Sequence, residues 1–155
     1  MAERSRGYAH RIDIAAPIEL VWRGLIDPQR LKLWYGPEAR VNPRAGGSYM
    51  VRADRDLERE AHIDVFEMHR RLRLIYMTPK ALAGHDAVLV DDFIIDNDGT
   101  MVVVHVLGSG FPLDEAWDTY YNRLRGGWGQ ALARLKVLSE RDARLEREAR
   151  RKQQR

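Results

Sequence analysis

A stripe of apolar residues at helical spacing runs through the last third of the chain. The stripe advances in steps of three and four residues and contains Trp117, Tyr121, Leu124, Trp128, Leu132, Leu135 and Leu138. This spacing places the side chains on one face of a single α-helix, and that face has to cover an apolar partner surface. We therefore predict one C-terminal helix of about 30 residues, buried against a sheet at Leu124, Trp128, Leu132 and Leu135.

Three glycines, Gly126, Gly127 and Gly129, interrupt this helical pattern. Each one costs a helix about 1 kcal/mol relative to alanine, so three of them in one turn need a physical reason. Their presence favours a close approach of the helix backbone to a sheet or a ligand, or a local bend.

A run of β-strands precedes the helix. Apolar and alternating segments predict strands over residues 8–14, 39–41, 47–53, 58–69, 71–77, 87–95 and 99–107. Asn97, Asp98 and Gly99 predict a tight hairpin between the last two strands, because these residue types accept a positive φ. Short connections imply an antiparallel meander. The last strand is apolar on both faces, which is consistent with cover on both sides.

Two short helices are predicted after the first strand. Pro17 suits a first helical position, and an apolar helical face follows it, made of Ile18, Val21, Trp22 and Leu25. Asp27 and Pro28 end this helix and begin another, which continues through Leu31 and Trp34. The order of strand, two helices, strands and one long helix predicts an α+β fold.

The residues at 20 positions, spread over most of residues 8–139, resemble the pattern of a known family. They are Ala16, Pro17, Val21, Trp22, Asp27, Pro28, Leu31, Trp34, Arg44, Gly46, Gly47, Tyr49, Gly99, Thr100, Trp117, Tyr120, Gly127, Trp128, Leu132 and Leu135. Together they resemble the activator of Hsp90 ATPase homologue 1-like family of the Bet v 1/START-like (SRPBCC) superfamily. The resemblance implies a helix-grip fold, a curved antiparallel β-sheet wrapped around a long C-terminal α-helix with an apolar cavity between them. It implies a domain over residues 1–139. The charged residues of 140–155 predict a helical extension, which the resemblance does not cover.

The formal net charge of +3 is concentrated at the C-terminus. Residues 139–155 hold seven basic and four acidic side chains, so the rest of the chain is neutral. A basic helix end is usually solvated and favours the helix dipole, so we expect no nucleic-acid partner. The chain has no cysteine, no secretory signal pattern and no apolar run long enough to span a membrane. We therefore expect a cytoplasmic protein without a transmembrane segment.

No sequence pattern indicates a metal, a cofactor or a catalytic centre. The histidines are His10, His62, His69, His85 and His105, and they form no paired metal-binding motif. For acid–base chemistry the chain offers His69, His105, Asp92 and its tyrosines. We expect no metal, no cofactor and no catalytic residue, and it stays open whether the protein is an enzyme.

Aromatic residues from the helices and strands form the predicted binding site. The candidates for lining an internal cavity are Trp22, Trp34, Tyr49, Tyr76, Asp92, Val104, Trp117, Tyr121 and Trp128. Trp and Tyr combine an apolar body with one polar group, which suits a partly polar ligand, and the alternative is that they only fill the core. Asp91 and Asp92 are strand neighbours, so only one of them can face the cavity.

The favoured function is the binding of a small hydrophobic molecule in an internal cavity, by a non-enzymatic carrier or sensor. The resemblance leaves two alternatives open. One is an enzyme of the polyketide cyclase or hydratase type, and the other is a protein-interaction role such as that of an Hsp90 co-chaperone. A homodimer is compatible with each of these functions.

Overall fold

One antiparallel sheet and three α-helices make up the computed structural model, which describes residues 4–55, 57–84 and 87–154. The strands are β1 (Ser5–Ile14), β2 (Glu38–Val41), β3 (Ser48–Asp54), β4 (Leu57–Glu67), β5 (Arg71–Tyr76), β6 (Leu89–Asn97) and β7 (Val102–Pro112). The helices are α1 (Ile18–Ile26), α2 (Pro28–Trp34) and α3 (Asp118–Gln153). The predicted α+β order is confirmed.

The strand order in the curved sheet is β1-β7-β6-β5-β4-β3-β2. Strands β2 to β7 follow one another as a meander, and β1 pairs with β7 at the far edge. The inner face carries the core: along β4, Leu57, Arg59, Ala61 and Ile63 are buried, and the residues between them are exposed. Because α3 packs against β1, α1 and α2 on this inner side, the predicted helix-grip fold is confirmed.

The β6–β7 hairpin forms where the sequence predicts it. Gly99 has a φ of 91°, and Asp98 Oδ1 accepts hydrogen bonds from the backbone N–H of Met101 (2.8 Å) and Thr100 (2.9 Å). The bond from Met101, followed by those from Thr100, lowers the pKa of Asp98 to about 2. The turn therefore gains its order from a charged side chain bonded to its own backbone.

Two side-chain hydrogen bonds fix α1 in place. Trp34 Nε1 donates to the carbonyl of Gly24 at 2.7 Å, and the Tyr49 hydroxyl donates to the carbonyl of Leu25 at 2.6 Å. A Cβ atom at position 24 would lie 2.8 Å from Leu135 Cδ1 of α3. Helix α1 thus packs so closely on α3 that a side chain at position 24 would force the buried Leu135 side chain to shift.

Helix α3 is 36 residues long, and its predicted inner face is buried. The four residues singled out between Leu124 and Leu135 are each at most 5% exposed, which confirms that face. The helix continues past residue 140, where Arg30 pairs with Asp142 and Ala143 is buried. Within the described residues, no helix has the length and apolar character that crossing a membrane requires.

The glycines of α3 do not bring its backbone close to the sheet. At Gly126, Gly127 and Gly129 an added Cβ would meet no atom within 4 Å, and all three residues are exposed. Leu124 and Trp128 occupy the inner face of this turn, so Gly126 and Gly129 face outward and Gly127 lies at the edge of that face, beside a pocket. The predicted close approach to the sheet is wrong here, and the close helix contact lies at position 24 instead.

The outer face of β7 is less covered than its apolar pattern suggests. Val103 and His105 are partly exposed, and Leu107 is 40% exposed. The expectation that this strand is covered on both sides is therefore wrong among the described residues.

Replacing Gly126 or Gly129 by alanine should stabilise the protein. Each change should raise the free energy of unfolding by about 1 kcal/mol, because alanine loses less backbone entropy in a helix and meets no obstacle here. Urea denaturation measures this difference. The Gly24→Ala variant is the control and should be destabilised, because its methyl group would overlap Leu135. Two α3 variants no more stable than the parent would contradict the outward orientation.

Truncating Trp128 to alanine should destabilise the fold by about 3–5 kcal/mol, as large-to-small aromatic core changes do. Its ring packs against Tyr35 and Phe93 with centroid distances of 5.1 and 5.7 Å. Val137→Ala on the same helix is the control and should change stability by less than about 0.5 kcal/mol, since Val137 is 67% exposed. Thermal or urea unfolding measures both, and equal effects would refute the burial of Trp128.

Candidate functional site

A pocket of about 280 Å³ opens between the N-terminal half of α3 and the β3–β4 end of the sheet. Its apolar wall consists of Tyr35, Leu57, Leu124, Trp128 and Ala131. The volume is close to the lower end of the range of about 300–1,000 Å³ that small-molecule sites occupy. The pocket can therefore hold a compact ligand of two or three rings.

Charged residues border the mouth of this pocket. Arg123 of α3 donates to Asp54 Oδ2 of β3 at 2.7 Å, and Arg134 Nε donates to the carbonyl of Trp34 at 2.8 Å. Gly127 lies on the same border and contributes no side chain. A polar rim around an apolar interior is the usual arrangement of a site for a mostly apolar molecule.

A buried ion pair lies directly behind the pocket wall. Arg59 of β4 and Asp91 of β6 are 2% and 0% exposed, and Arg59 Nη1 donates to Asp91 Oδ2 at 2.7 Å. The same Nη1 donates to the Tyr35 hydroxyl at 3.0 Å, so the pair contacts a residue that lines the pocket. A buried ion pair is weak evidence for stability, because desolvation offsets the attraction between its charges. Its position beside a pocket makes it a candidate for function.

Tyrosines from three other elements surround this pair. The Tyr8 hydroxyl of β1 donates to Asp91 Oδ1, and Arg59 Nε donates to the Tyr120 hydroxyl of α3 at 3.3 Å. The Tyr76 ring of β5 stacks on the guanidinium, with 3.7 Å from Arg59 Cζ to the ring centroid. The charges are thus held in one geometry by hydrogen bonds and a cation–π contact.

Two buried donors at this cluster have no hydrogen-bond partner among the described residues. They are Arg59 Nη2 and the Tyr76 hydroxyl. Leaving a buried donor unsatisfied costs about 1–3 kcal/mol, and most buried polar groups are bonded. The stacked pair of Arg59 and Tyr76 therefore presents donors that the protein itself does not use.

Burial and charge keep this cluster in one protonation state. Burial lowers the pKa of Arg59, but the neighbouring Tyr76, Tyr35 and Asp91 outweigh it and raise that pKa well above its usual value. Burial is also the main cause that raises the pKa of four tyrosines, namely Tyr8, Tyr35, Tyr49 and Tyr76. Arg59 thus stays charged and these hydroxyls stay protonated at neutral pH.

The protein should lose stability as the pH rises above about 10. A tyrosine with a raised pKa stabilises the fold fully below its unfolded value of 10.0 and loses that contribution as the pH rises through the folded value. Near-ultraviolet absorbance and melting temperature, followed together in alkaline titration, measure this. Of the six tyrosines, the four with raised pKa values should ionise only as the protein unfolds. Ionisation of all six in the folded protein would contradict the prediction.

Three of the predicted cavity residues lie at or near this site. Trp128 lines the pocket, and Trp34 packs behind it with a ring-centroid distance of 6.5 Å. Tyr76 stacks on Arg59, behind the pocket wall.

Five other predicted residues are buried in the core and do not line this pocket: Trp22, Tyr49, Val104, Trp117 and Tyr121. Trp22 contacts Phe66 of β4 edge-to-face at 5.4 Å, near the β4–β5 hairpin. The Tyr121 hydroxyl donates to the carbonyl of Gly7 on β1. The nine candidates thus do not form one common lining.

Asp91 faces the interior, and Asp92 faces outward. Asp92 accepts a hydrogen bond from Arg71 Nη2 at 2.7 Å on the outer side of the sheet. The choice of Asp92 as a cavity residue is therefore wrong, because alternate strand residues point to opposite faces and the inner phase of β6 includes Asp91 and Phe93.

Arg59 is the residue that sequence reasoning missed. Its signal was present in β4, where Arg59 falls in phase with the apolar Leu57, Ala61 and Ile63. A charged residue in the apolar phase of a strand needs a partner of opposite charge. Asp91, in the apolar phase of β6, is that partner.

Among the described residues, no histidine lines the pocket. His69 contacts the edge of Trp22 with a centroid distance of 6.2 Å, and His105 pairs with Asp96 at 3.1 Å. His85 lies outside the described residues. Within the described part of the chain, no group of three or more side chains is arranged to hold a metal ion.

A curved sheet around a long helix, with a pocket beside that helix, defines a helix-grip protein. Residues 15–140 match the sequence model of the family described as activator of Hsp90 ATPase homolog 1-like protein, and the chain belongs to this family. The resemblance drawn from the sequence is confirmed. No curated protein matches the chain.

Several solved structures share this fold. Protein MLL2253 from Mesorhizobium loti is 21% identical, with a TM-score of 0.76, over 88% of this chain and 98% of that one. The Aha1 dimer from Colwellia psychrerythraea is 17% identical, with a TM-score of 0.70, over 87% and 96%. CalU16 from Micromonospora echinospora is 19% identical, with a TM-score of 0.66, over 86% and 74%. At these identities the likeness shows the fold alone.

Proposed function

We propose that the protein binds a small, mostly apolar molecule in the pocket between α3 and the sheet, as a carrier or sensor. The observation that carries this proposal is the apolar wall of Tyr35, Leu57 and Trp128 behind an open polar mouth. Gly127 is exposed and borders the pocket without a side chain. The pocket offers a concave apolar surface of the kind that small molecules occupy.

The size of the pocket limits the affinity. A ligand that buries about 250 Å² of apolar surface gains about 6 kcal/mol from the hydrophobic effect. Part of that gain is offset by the loss of translational and rotational freedom. We therefore expect dissociation constants in the micromolar range or weaker for a simple apolar probe.

Binding without catalysis is the function that the side chains support best. Three of the groups weighed for acid–base chemistry, His69, His105 and Asp92, lie away from the pocket wall. Among the tyrosines also weighed, Tyr35 lines the pocket, but its hydroxyl already accepts from Arg59 and burial raises its pKa. A cyclase or hydratase would need such a group within hydrogen-bond reach of its substrate.

Two macromolecular partners are proposed alongside the ligand. Self-association is supported by the dimer of the Colwellia relative, and a chaperone partner by the family's description. Light scattering of the purified protein tests the first, and binding to purified Hsp90 tests the second.

A fluorescence titration with N-phenyl-1-naphthylamine, a neutral apolar dye, tests the ligand proposal. The Gly127→Leu variant should weaken dye binding by about tenfold, because its side chain would fill the mouth of the pocket. Gly126→Leu is the matched control, since position 126 is equally exposed on the same helix but does not border the pocket. We expect its affinity to stay within about twofold of the parent.

Two results would overturn this proposal. One is a folded parent protein that does not bind the dye. The other is an equal loss of affinity in both leucine variants, which would show that the dye binds elsewhere or responds to the helix as a whole.

A further inference from the structure

The unused hydrogen-bonding groups behind the pocket are donors. Arg59 Nη2 carries two N–H groups and has no acceptor capacity, and the Tyr76 hydroxyl has a proton to donate. The nearby acceptor Asp91 is already engaged, since Oδ1 accepts from Tyr8 and Oδ2 from Arg59. A ligand that satisfies this cluster must therefore bring an acceptor atom.

The charges of the cluster decide which kind of acceptor fits. Arg59 and Asp91 neutralise each other, so the buried site has no net charge to offer an anion. A ligand carboxylate would lose its hydration and lie close to the carboxylate of Asp91. A neutral carbonyl oxygen loses far less hydration and accepts hydrogen bonds from both donors.

Tyr35 connects the pocket to these donors. Its ring lines the pocket and contacts Trp128 edge-to-face at 5.1 Å, while its hydroxyl accepts from Arg59 Nη1. Because neither Arg59 nor Tyr76 lines the pocket itself, a ligand oxygen can reach Arg59 only if the rings of Tyr35 and Trp128 separate. The aromatic rings on this route favour a flat, conjugated ligand.

We infer that the ligand is a neutral ring compound bearing a carbonyl group, such as an aromatic ketone or a quinone, whose oxygen accepts hydrogen bonds from Arg59 Nη2 and the Tyr76 hydroxyl. This inference rests on the proposed binding of an apolar molecule in the same pocket. It adds the polar group by which that molecule is selected.

Three tricyclic probes distinguish apolar binding in the pocket from recognition of a carbonyl group. Fluorene is the hydrocarbon, fluorenone adds one carbonyl, and fluorene-9-carboxylate carries a charge on a similar frame. Displacement of N-phenyl-1-naphthylamine measures the affinity of each. Fluorenone should bind about tenfold more tightly than fluorene, which corresponds to one or two net hydrogen bonds. The carboxylate should bind more weakly than either.

Tyr76→Phe tests the assignment to this cluster. The variant keeps the ring that stacks on Arg59 and removes only an unpartnered hydroxyl, so its stability should not fall. The preference for fluorenone over fluorene should drop to about twofold. Tyr49→Phe is the control, because its hydroxyl bonds Leu25 and not Arg59, and it should keep the preference.

A second variant tests the arginine without leaving a lone buried charge. Arg59→Met combined with Asp91→Leu replaces the ion pair by apolar side chains, a change that buried pairs often tolerate. It should bind fluorene and lose the preference for fluorenone. The infrared carbonyl band of bound fluorenone should lie at lower frequency in the parent, where it accepts hydrogen bonds, than in this variant.

The possible outcomes test the carbonyl assignment separately from the proposed binding of an apolar molecule. Equal binding of fluorene and fluorenone by the parent protein would overturn the carbonyl assignment and leave the apolar pocket standing. Tighter binding of the carboxylate would overturn the charge argument. A preference that survives in Tyr76→Phe and in the double variant would place the recognising donor elsewhere. Binding of none of the probes would overturn the proposed function itself.

Discussion

The pairing of Arg59 with Asp91 organises the interior of this protein. It joins β4 to β6 across β5, and its tyrosine partners come from β1, β5, the end of α2 and the first turn of α3. Two charges at this depth are tolerated only while those partners stay in place. The apolar residues supply most of the burial, and the ion pair restricts how the sheet and α3 can be arranged around it. Tyr35 and Trp128 form the wall that separates the pocket from this buried cluster.

The fold could be predicted from the sequence to the level of its elements. The three-and-four spacing of α3, the turn at Asn97–Gly99 and the helix break at Asp27 are local signals, and local chemistry decides them. The inner face of α3 at Leu124 and Trp128 followed from the same spacing. These features depend on neighbours within a few positions along the chain, which a sequence displays directly.

The site could not be predicted to the same extent. Val104 and Trp117 are aromatic or apolar like Trp128, yet they fill the core while Trp128 borders a pocket, and that difference depends on how α2 and α3 meet the sheet. Arg59 was missed because its partner Asp91 lies two strands away. Phase did not separate Asp91 from Asp92, since Asp91 alternates with Leu89 and Phe93 and Asp92 alternates with the equally apolar Val90 and Ile94.

The exposed glycines beside the pocket have a consequence for how ligands exchange. Gly126, Gly127 and Gly129 make one turn in the interior of α3 easier to unfold locally than the turns on either side, because glycine gains more backbone entropy on opening. We expect amide hydrogen exchange in α3 to be faster at this turn than in the turns on either side. The softest part of the helix therefore borders the mouth of the pocket. If the pocket holds the proposed ligand, fluctuations of this single helical turn would widen its mouth while the sheet keeps its pairing.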